Sequence, residues 1–263
     1  MSAFHYMVEE GVATFVLSNP PQNRLSAELV GGLAEAIGKV KVDRSVRAVL
    51  LRAEGDNFSF GGDIYPWLDV TPAQMGANIA AGIQIGDALE QLPVPIVSAV
   101  HGRCLGGAFE LVLRTDIIIA GESARFGHPE QTIGVITFLG GVQRVAERAG
   151  RSRAALWAMT SEQVPAAEMQ AAGVISKVVP DVELQGASEA LVRKLAQGPT
   201  LSHAGHKRLL NAWSRGGMSD ADQLLPDMTE EIMSSVDARK AVAIAIEALK
   251  RGAERPEMNF EGR

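Results

Sequence analysis

One cysteine, Cys104, in 263 residues excludes any internal disulfide and fits a reducing compartment. Long apolar runs are also missing. The best candidate, LPVPIVSAV, falls far short of the roughly 20 residues that span a bilayer, and it is interrupted by proline. The opening MSAFHYMVEE has neither the basic start and apolar stretch of a signal peptide nor the Arg/Ser richness of a transit peptide. Positive charge is not in excess: 25 Lys and Arg against 31 Asp and Glu leave −6. That balance gives no electrostatic footprint for nucleic acid, although local Arg and Lys can still surround an anionic ligand. No phosphate-binding GxxxxGK[ST] loop, HExxH, GxSxG elbow or strand-following GxGxxG occurs. His101 and His128 have no Cys or His at metal-ligand spacing and read as structural or solvated, and Cys104 reads as a small buried residue. No repeat, low-complexity tract or charge block stands out. These absences lead to the expectation of a soluble, cytoplasmic protein with no metal, nucleic-acid or membrane partner.

What is there is ordinary in composition and specific in order. Apolar residues at 46% and charged residues at 21% suit a globular chain long enough for one large domain, or one domain with an appendage. FHYMVEE and VATFVLS read as strands joined near Gly11, and Leu29, Val30, Leu33, Ile37 and Val40 recur at helical spacing. VRAVLLR is a third strand, followed by a glycine loop from Phe58 to Asp63. A long helix is expected from about Thr71 to Leu92, with Ile79, Ile83 and Leu89 on related faces; PIVSAV and DIIIAG are strands flanking a helix after Gly106. Alternating strands and helices imply an α/β fold with parallel pairing. Past Pro180 the pattern becomes helical, with a polar turn near Gly216 and Gly217. The expected division is an α/β core over 1–197 and a helical portion over 198–263, whose broad apolar faces suit a neighbouring subunit.

Two glutamates twenty positions apart, Glu110 in HGRCLGGAFELVL and Glu130 in ARFGHPEQTIGV, each follow glycines, and a further pair, Gly61 and Gly62, lies upstream in NFSFGGDI. Glycine lets backbone approach a ligand, and where such a loop opens a helix, its free N–H groups favour developing negative charge. Asp63 is positioned to cap such a helix. Either glycine pair alone reads as a tight turn; two flanking two glutamates read as an oxyanion site with an acid and a base. Glu110, inside apolar AFELVL, is expected to be buried, either in an ion pair with Arg114 or Arg144 or as a carboxylate whose pKa is tuned by burial and a like charge. Glu130, after Pro129, taken alone reads as a solvated surface residue.

Over nearly its whole length the chain resembles the crotonase, or enoyl-CoA hydratase/isomerase, superfamily. The matching stretches run from NRLS and LRAEGDNFSFGGDI through PIVSAVHGRCLGGAFELVLRTDIIIAG, ARFGHPEQTIGV and GGVQR to AALWAMTSEQVPAAEMQAAGVISKVVP and the terminal NFEGR. The resemblance implies a crotonase-like spiral of ββα units and a C-terminal helical region used in trimerisation, with homotrimers or homohexamers as partners of the fold. It implies an acyl-CoA thioester as substrate, coenzyme A being part of that substrate, and no separate cofactor or metal. By it, the N–H groups of Gly62 and Gly107 form the oxyanion hole, Glu110 activates water and Glu130 supplies the Cα proton. Arg24, Leu25, Phe60, Gly61, Asp63 and Ile64 fall where relatives bind the CoA moiety, and Lys207 falls where relatives often carry a lysine, its simpler reading being an exposed helix residue. The pattern departs at Ser59-Phe60, where small residues are usual, and at Thr137-Phe138-Leu139, where hydratases carry a Pro-Gly turn beside the acyl pocket. Phe138 is therefore expected to narrow the pocket, alter substrate choice or shift the reacting water. Hydration of a 2-enoyl-CoA is the leading expectation. Isomerisation, decarboxylation or C–C hydrolysis of an acyl-CoA, and a non-catalytic scaffold, are the alternatives.

Overall fold

The computed structural model describes residues 2–262; Met1 and Arg263, the outer ends of the two expected portions, lie outside the described residues. In chain order the elements are β1 (Phe4–Glu9), β2 (Val12–Leu17), α1 (Ala27–Val42), β3 (Ala48–Ala53), α2 (Pro72–Glu90), β4 (Ile96–Val100), β5 (Arg103–Leu105) and α3 (Gly107–Val112). They continue as β6 (Ile117–Gly121), β7 (Arg125–Gly127), α4 (Gly141–Ala149), α5 (Arg151–Thr160), β8 (Val164–Pro165), α6 (Ala166–Ala171) and β9 (Lys177–Val179). The chain then runs through α7 (Leu184–Gln197), α8 (Thr200–Gln223), α9 (Leu225–Ser234) and α10 (Val236–Arg251).

The larger sheet has the order β1-β2-β3-β4-β6-β9. Only β1 and β2 pair antiparallel, closing at the Glu10–Gly11 turn; the other pairs are parallel, as expected from the alternation of strands and helices. The central strands β2, β3, β4 and β6 are covered on both faces and are mostly apolar, whereas the edge strand β1 is exposed over its second half. The period-2 alternation sorts them: Ala13, Phe15, Val49, Leu51, Ile96, Val100 and Ile118 join the main core with Leu29, Leu33, Ile37 and Val40 of α1. Val12, Leu50, Val97, Ala99 and Ile119 face the other way, against Leu184, Val192 and Ala196 of α7. Each fully buried Leu or Ile in these layers stabilises the fold by about 1.5–3 kcal/mol relative to exposure.

A second, three-stranded sheet has the order β5-β7-β8, and none of its strands exceeds three residues. Periodicity cannot signal strands that short, and the sequence reading contains none of them. Yet they position the site. β5 and β7 pair parallel with Leu105 opposite Gly127, and Gly106 N–H donates to Gly127 O at 2.9 Å. Ser59 bridges to Cys104 on the other side of β5. Three chain segments, each followed by a glycine or glutamate of interest, are thus held side by side.

Two expectations about helices need correction. Ile79, Ile83 and Leu89 do not share a face of α2: Ile79 lines a cavity, Ile83 is exposed and Leu89 is in the core. Lys207 is not an exposed helix lysine. It is buried on α8, with Nζ 2.9 Å from Asp116 Oδ2 and 3.3 Å from Val94 O. Burial pushes the Lys207 pKa down and that of Asp116 up, each against the pull of its partner. Such a pair fixes where α8 sits more than it adds stability. The expected turn near Gly216 and Gly217 is a kink inside α8, where Gly217 has φ 78°. Beyond α10 the tail folds back: Glu261 and Gly262 donate their N–H groups to buried Asp237, and Arg47 Nη1 donates to Phe260 O at 2.8 Å.

Candidate active site

Two glycine loops meet at the edge of the small sheet. In the first, Ser59 N–H donates to Arg103 O, Phe60 N–H to Gln22 O, and Gly61 N–H to the Ser59 hydroxyl. Gly61 sits at φ 90°, and a Cβ there would stand 2.7 Å from Leu105 O and 3.2 Å from the Gly107 nitrogen. It is the spacer that lets the loops touch, and unlike its neighbours Phe60 and Gly62 it does not line the cavity. In the second loop Gly106, at φ 53° and ψ −133°, turns β5 into α3. Gly107 opens that helix, so its N–H has no intrahelical partner. A Cβ built on Gly107 would lie 3.8 Å from the Gly62 nitrogen, so the two glycines stand side by side.

Glu110 is one turn further along α3 and 1% exposed. Neither Arg114 nor Arg144 pairs with it; both are engaged elsewhere, Arg114 with Asp87 and Glu90, and Arg144 with Glu90. Instead Glu110 Oε2 accepts the N–H groups of Leu139 (2.8 Å) and Gly141 (2.7 Å). Desolvation pushes its pKa up, opposed by the N–H groups of Gly141, Leu139 and Phe138 and by the Arg114 charge. Arg114 also anchors the turn over Glu110, its Nη2 donating to Leu139 O at 2.8 Å. α4 can come this close only because residue 141 is glycine: a Cβ there would collide with His128 Cε1 and with Glu110 Cγ at 2.7 Å.

Glu130 follows β7 on a short 3-10 turn, Pro129–Ile133. It is not the solvated surface residue that its local sequence suggests. Oε2 is buried with no hydrogen-bond partner, and Oε1 faces Gly106, where a Cβ would stand 3.0 Å away. Burial first, then the Glu110 charge, push its pKa up to about 7. The folded state therefore holds this proton more tightly than the unfolded chain between the ordinary 4.5 and about 7. Stability is lost as pH rises through that window. Glu130→Gln should accordingly stabilise the fold by about 1–2 kcal/mol at pH 8, after discounting for partial exposure, and leave it unchanged at pH 4. Urea melts at the two pH values measure this, and equal gains at both would contradict it.

Both glutamates line one cavity of about 820 Å³, together with Gly62, Gly107, Arg24, Leu25, Phe60, Asp63, Ile64 and Phe138. Arg24 is held to Gly62 O (3.1 Å) and to Gln22 (2.7 Å). Asp63 accepts the Tyr65 N–H at 3.2 Å just before the 3-10 turn Tyr65–Asp69, whose N-cap is Ile64, so the expected helix cap at Asp63 is not formed. Phe138 does not block the cavity; its ring leans edge-on against Trp67 at 6.0 Å and forms a wall. Thr137 lies outside it. Trp67 and the α2 residues Met75, Ile79, Ala81 and Gly82 complete the apolar lining. Sequence reading missed these: Trp67 sits in a turn without periodicity, and Ile79 reads as an ordinary core position. His101 Nε2 is 2.8 Å from Gly55 O, and Cys104 is fully buried, which pushes its thiol pKa up. Among the described residues no three His, Cys, Asp or Glu side chains converge to hold a metal, and no helix is long and apolar enough to cross a membrane.

A family model described as enoyl-CoA hydratase/isomerase matches residues 7–263. The chain belongs to this family. It is 30% identical over 242 residues to the 1,2-epoxyphenylacetyl-CoA isomerase of Escherichia coli, covering 90% of this chain and 92% of that one. It is 29% identical over 248 residues to the short-chain-enoyl-CoA hydratase of Clostridium acetobutylicum, covering 92% and 94%. The crystal structure of an enoyl-CoA hydratase from Mycobacterium smegmatis superimposes with a TM-score of 0.87 at 27% identity, covering 97% of this chain and 98% of that one. The architecture is the mixed α/β crotonase fold. These relatives bear both hydratase and isomerase names, so membership in the family leaves the reaction open.

Proposed function

We propose that this chain catalyses the reversible addition of water to a 2-enoyl-CoA thioester, giving the 3-hydroxyacyl-CoA. The observation that carries this reading is the pair of carboxylates, Glu110 and Glu130, on the wall of the same cavity as Gly62 and Gly107. The thioester oxygen accepts the two glycine N–H groups, which stabilise the enolate as charge develops there; such donors are worth roughly 2.7–4 kcal/mol each. Glu110, oriented by the Leu139 and Gly141 amides, takes a proton from water as the hydroxyl adds to Cβ. Glu130, protonated up to about pH 7, delivers a proton to Cα. Acid, base and oxyanion donors all come from the chain, so the step calls for no redox group or metal; coenzyme A arrives with the substrate. Arg24, Leu25, Phe60, Asp63 and Ile64 meet the CoA end, while Trp67, Ile79 and Phe138 enclose the acyl end. Double-bond isomerisation is the second reading, favoured by the raised pKa of Glu130, since a single carboxylate near neutrality suffices to shuttle a proton along an enolate.

Loss of the conjugated enoyl-thioester absorbance across 2-enoyl-CoAs of graded acyl size tests the proposal. Hydration of at least one member is expected. Acyl-CoA binding without hydration of any would reject it in favour of the isomerase reading.

We also propose that α8 to α10 serve assembly. They leave Leu210, Met218, Val242, Ile246 and Leu249 more than 40% exposed, a concentration of large apolar side chains suited to a second copy. Light scattering should then give a mass of three or six chains, and a monomer at micromolar concentration would contradict it.

A further inference from the structure

Glu130 borders two cavities. The second, about 310 Å³, lies between the Pro129–Ile133 turn and α4 and α5; it is lined by His128, Glu130, Ala154 and Ala158, with exposed Ile136 and Met159 at its rim. Glu110 is not among the described residues that line it. His128 is 2% exposed, its ring tilted by 33° against Phe109 at 5.0 Å and its Cε1 edge set against Gly141. Neither ring nitrogen has a hydrogen-bond partner in the protein, and neither has Glu130 Oε2. Buried polar atoms in folded proteins are met by a partner or by ordered water, and a cavity this size holds several waters at about 30 Å³ each.

The proposed reaction creates a need for such water. Each hydration leaves Glu110 carrying the proton of the attacking water and Glu130 without its own. Product then fills the front cavity and separates Glu130 from solvent on that side. We propose that the second cavity is a water-filled proton port behind Glu130, in which His128 is the positioning residue that holds the water in line. A proton from bulk solvent passes along hydrogen-bonded water and adds to the Glu130 carboxylate. The proton taken up by Glu110 leaves to solvent through the front as product departs, so the net reaction stays water plus enoyl thioester giving hydroxyacyl thioester. Burial holds the His128 pKa near 4, so at neutral pH its ring offers one donor and one acceptor and no charge. The other charged group at this cavity, Arg151, is exposed and belongs to its outer rim. This inference rests on the hydration reading, in which each turnover takes the proton from Glu130; an isomerase that returns the proton to its substrate needs no port.

The test uses a saturated substrate, butyryl-CoA, on which neither reaction can proceed. Exchange of its Cα protons in D2O, followed by NMR, needs only the oxyanion donors, Glu130 and a way to replace the proton that Glu130 removes. Ala158→Leu fills the second cavity from α5, and His128→Phe keeps the ring against Phe109 while removing both nitrogens. Each should slow exchange at least about tenfold, a modest part of what acid–base groups contribute, with butyryl-CoA affinity and thermal midpoint unchanged. The proton then returns to carbon before deuterium replaces it. Exchange within about twofold of wild type in both variants would overturn the port alone. Exchange that falls only in step with affinity or stability would reduce His128 to packing and overturn it too. No exchange in the wild type would take down the enolate reading and the port together.

Discussion

Glu130→Gln and Glu110→Gln are each expected to lower kcat for hydration by about 10²–10⁴-fold, the usual contribution of a positioned acid or base. Both should fold, because the amide oxygen of Gln at 110 can still accept the Leu139 and Gly141 N–H groups that orient Glu110 now. The two variants should part company on Cα chemistry. Glu130→Gln abolishes exchange of Cα protons with solvent. Glu110→Gln leaves that exchange largely intact, since its carboxylate serves the water and not the carbon. The pH dependence has a defined sign. Hydration needs the proton on Glu130, so kcat/KM should fall as pH rises through about 7, where burial and the Glu110 charge place this group. Dehydration of the hydroxyacyl thioester uses the same singly protonated pair with the proton on Glu110, and the overall reaction neither takes up nor releases a proton, so its kcat/KM should follow the same pH dependence. Steady-state rates in both directions, with the exchange assay beside them, measure all of this. If Glu110→Gln turns over an enoyl substrate as fast as wild type does, hydration is the wrong reaction and isomerisation takes its place.

Gly61→Ala is expected to cost about 3 kcal/mol of stability and to lower kcat at least 10²-fold. The stability loss has two sources. Residue 61 sits at φ 90°, which an L side chain adopts only under strain, and the new Cβ would stand 2.7 Å from Leu105 O. Both groups pressing on it, Leu105 O and the Gly107 nitrogen at 3.2 Å, are backbone and cannot swing aside. The loops must separate, and that carries the Gly107 N–H away from the Gly62 N–H. The activity loss follows because two oxyanion donors act only when both reach one oxygen. Gly38→Ala on α1 is the control, since no atom lies within 4 Å of its Cβ position and its φ is not positive. It should leave kcat unchanged and raise stability by up to about 1 kcal/mol through helix propensity. Denaturant melts and rates on one enoyl-CoA compare the two. Wild-type activity in folded Gly61→Ala would remove the paired-loop account of the oxyanion site.

Much of the site is legible in the sequence because its chemistry demands residue types with few substitutes. Glycines stand where backbone approaches a ligand or another loop, and carboxylates stand among apolar neighbours where only function or a partner justifies them. The two glycine pairs and the two glutamates could be singled out on those grounds; that Gly62 and Gly107 are the donors, and Glu110 and Glu130 the base and acid, rests on the resemblance to the family. Their surroundings could not. An ion pair between Glu110 and Arg114 fits local spacing equally well, but Arg114 turns to Asp87 and Glu90 on α2, and two backbone amides take its place. Lys207 sits on a helix whose outward face looks solvated, yet it closes on Asp116, ninety-one positions earlier. Ile79 and Trp67 become cavity wall only through the way α2 and the preceding turn lean over Phe138.

By itself the sequence determined the α/β alternation, the parallel sheet, the helical C-terminal stretch and two glycine loops set beside two glutamates. Those rest on local periodicity, on glycine's missing Cβ and on the cost of burying charge, all of which act at short range along the chain. Tertiary structure decided how these residues meet. β5 and β7, three residues each, carry too few side chains to show a period, but pairing them in register sets Gly106 beside Gly127 and brings two glutamates twenty positions apart into one cavity. The raised pKa of Glu130 and the second cavity behind it arise from the same convergence, because burial and like-charge repulsion depend on neighbours in space and not in sequence.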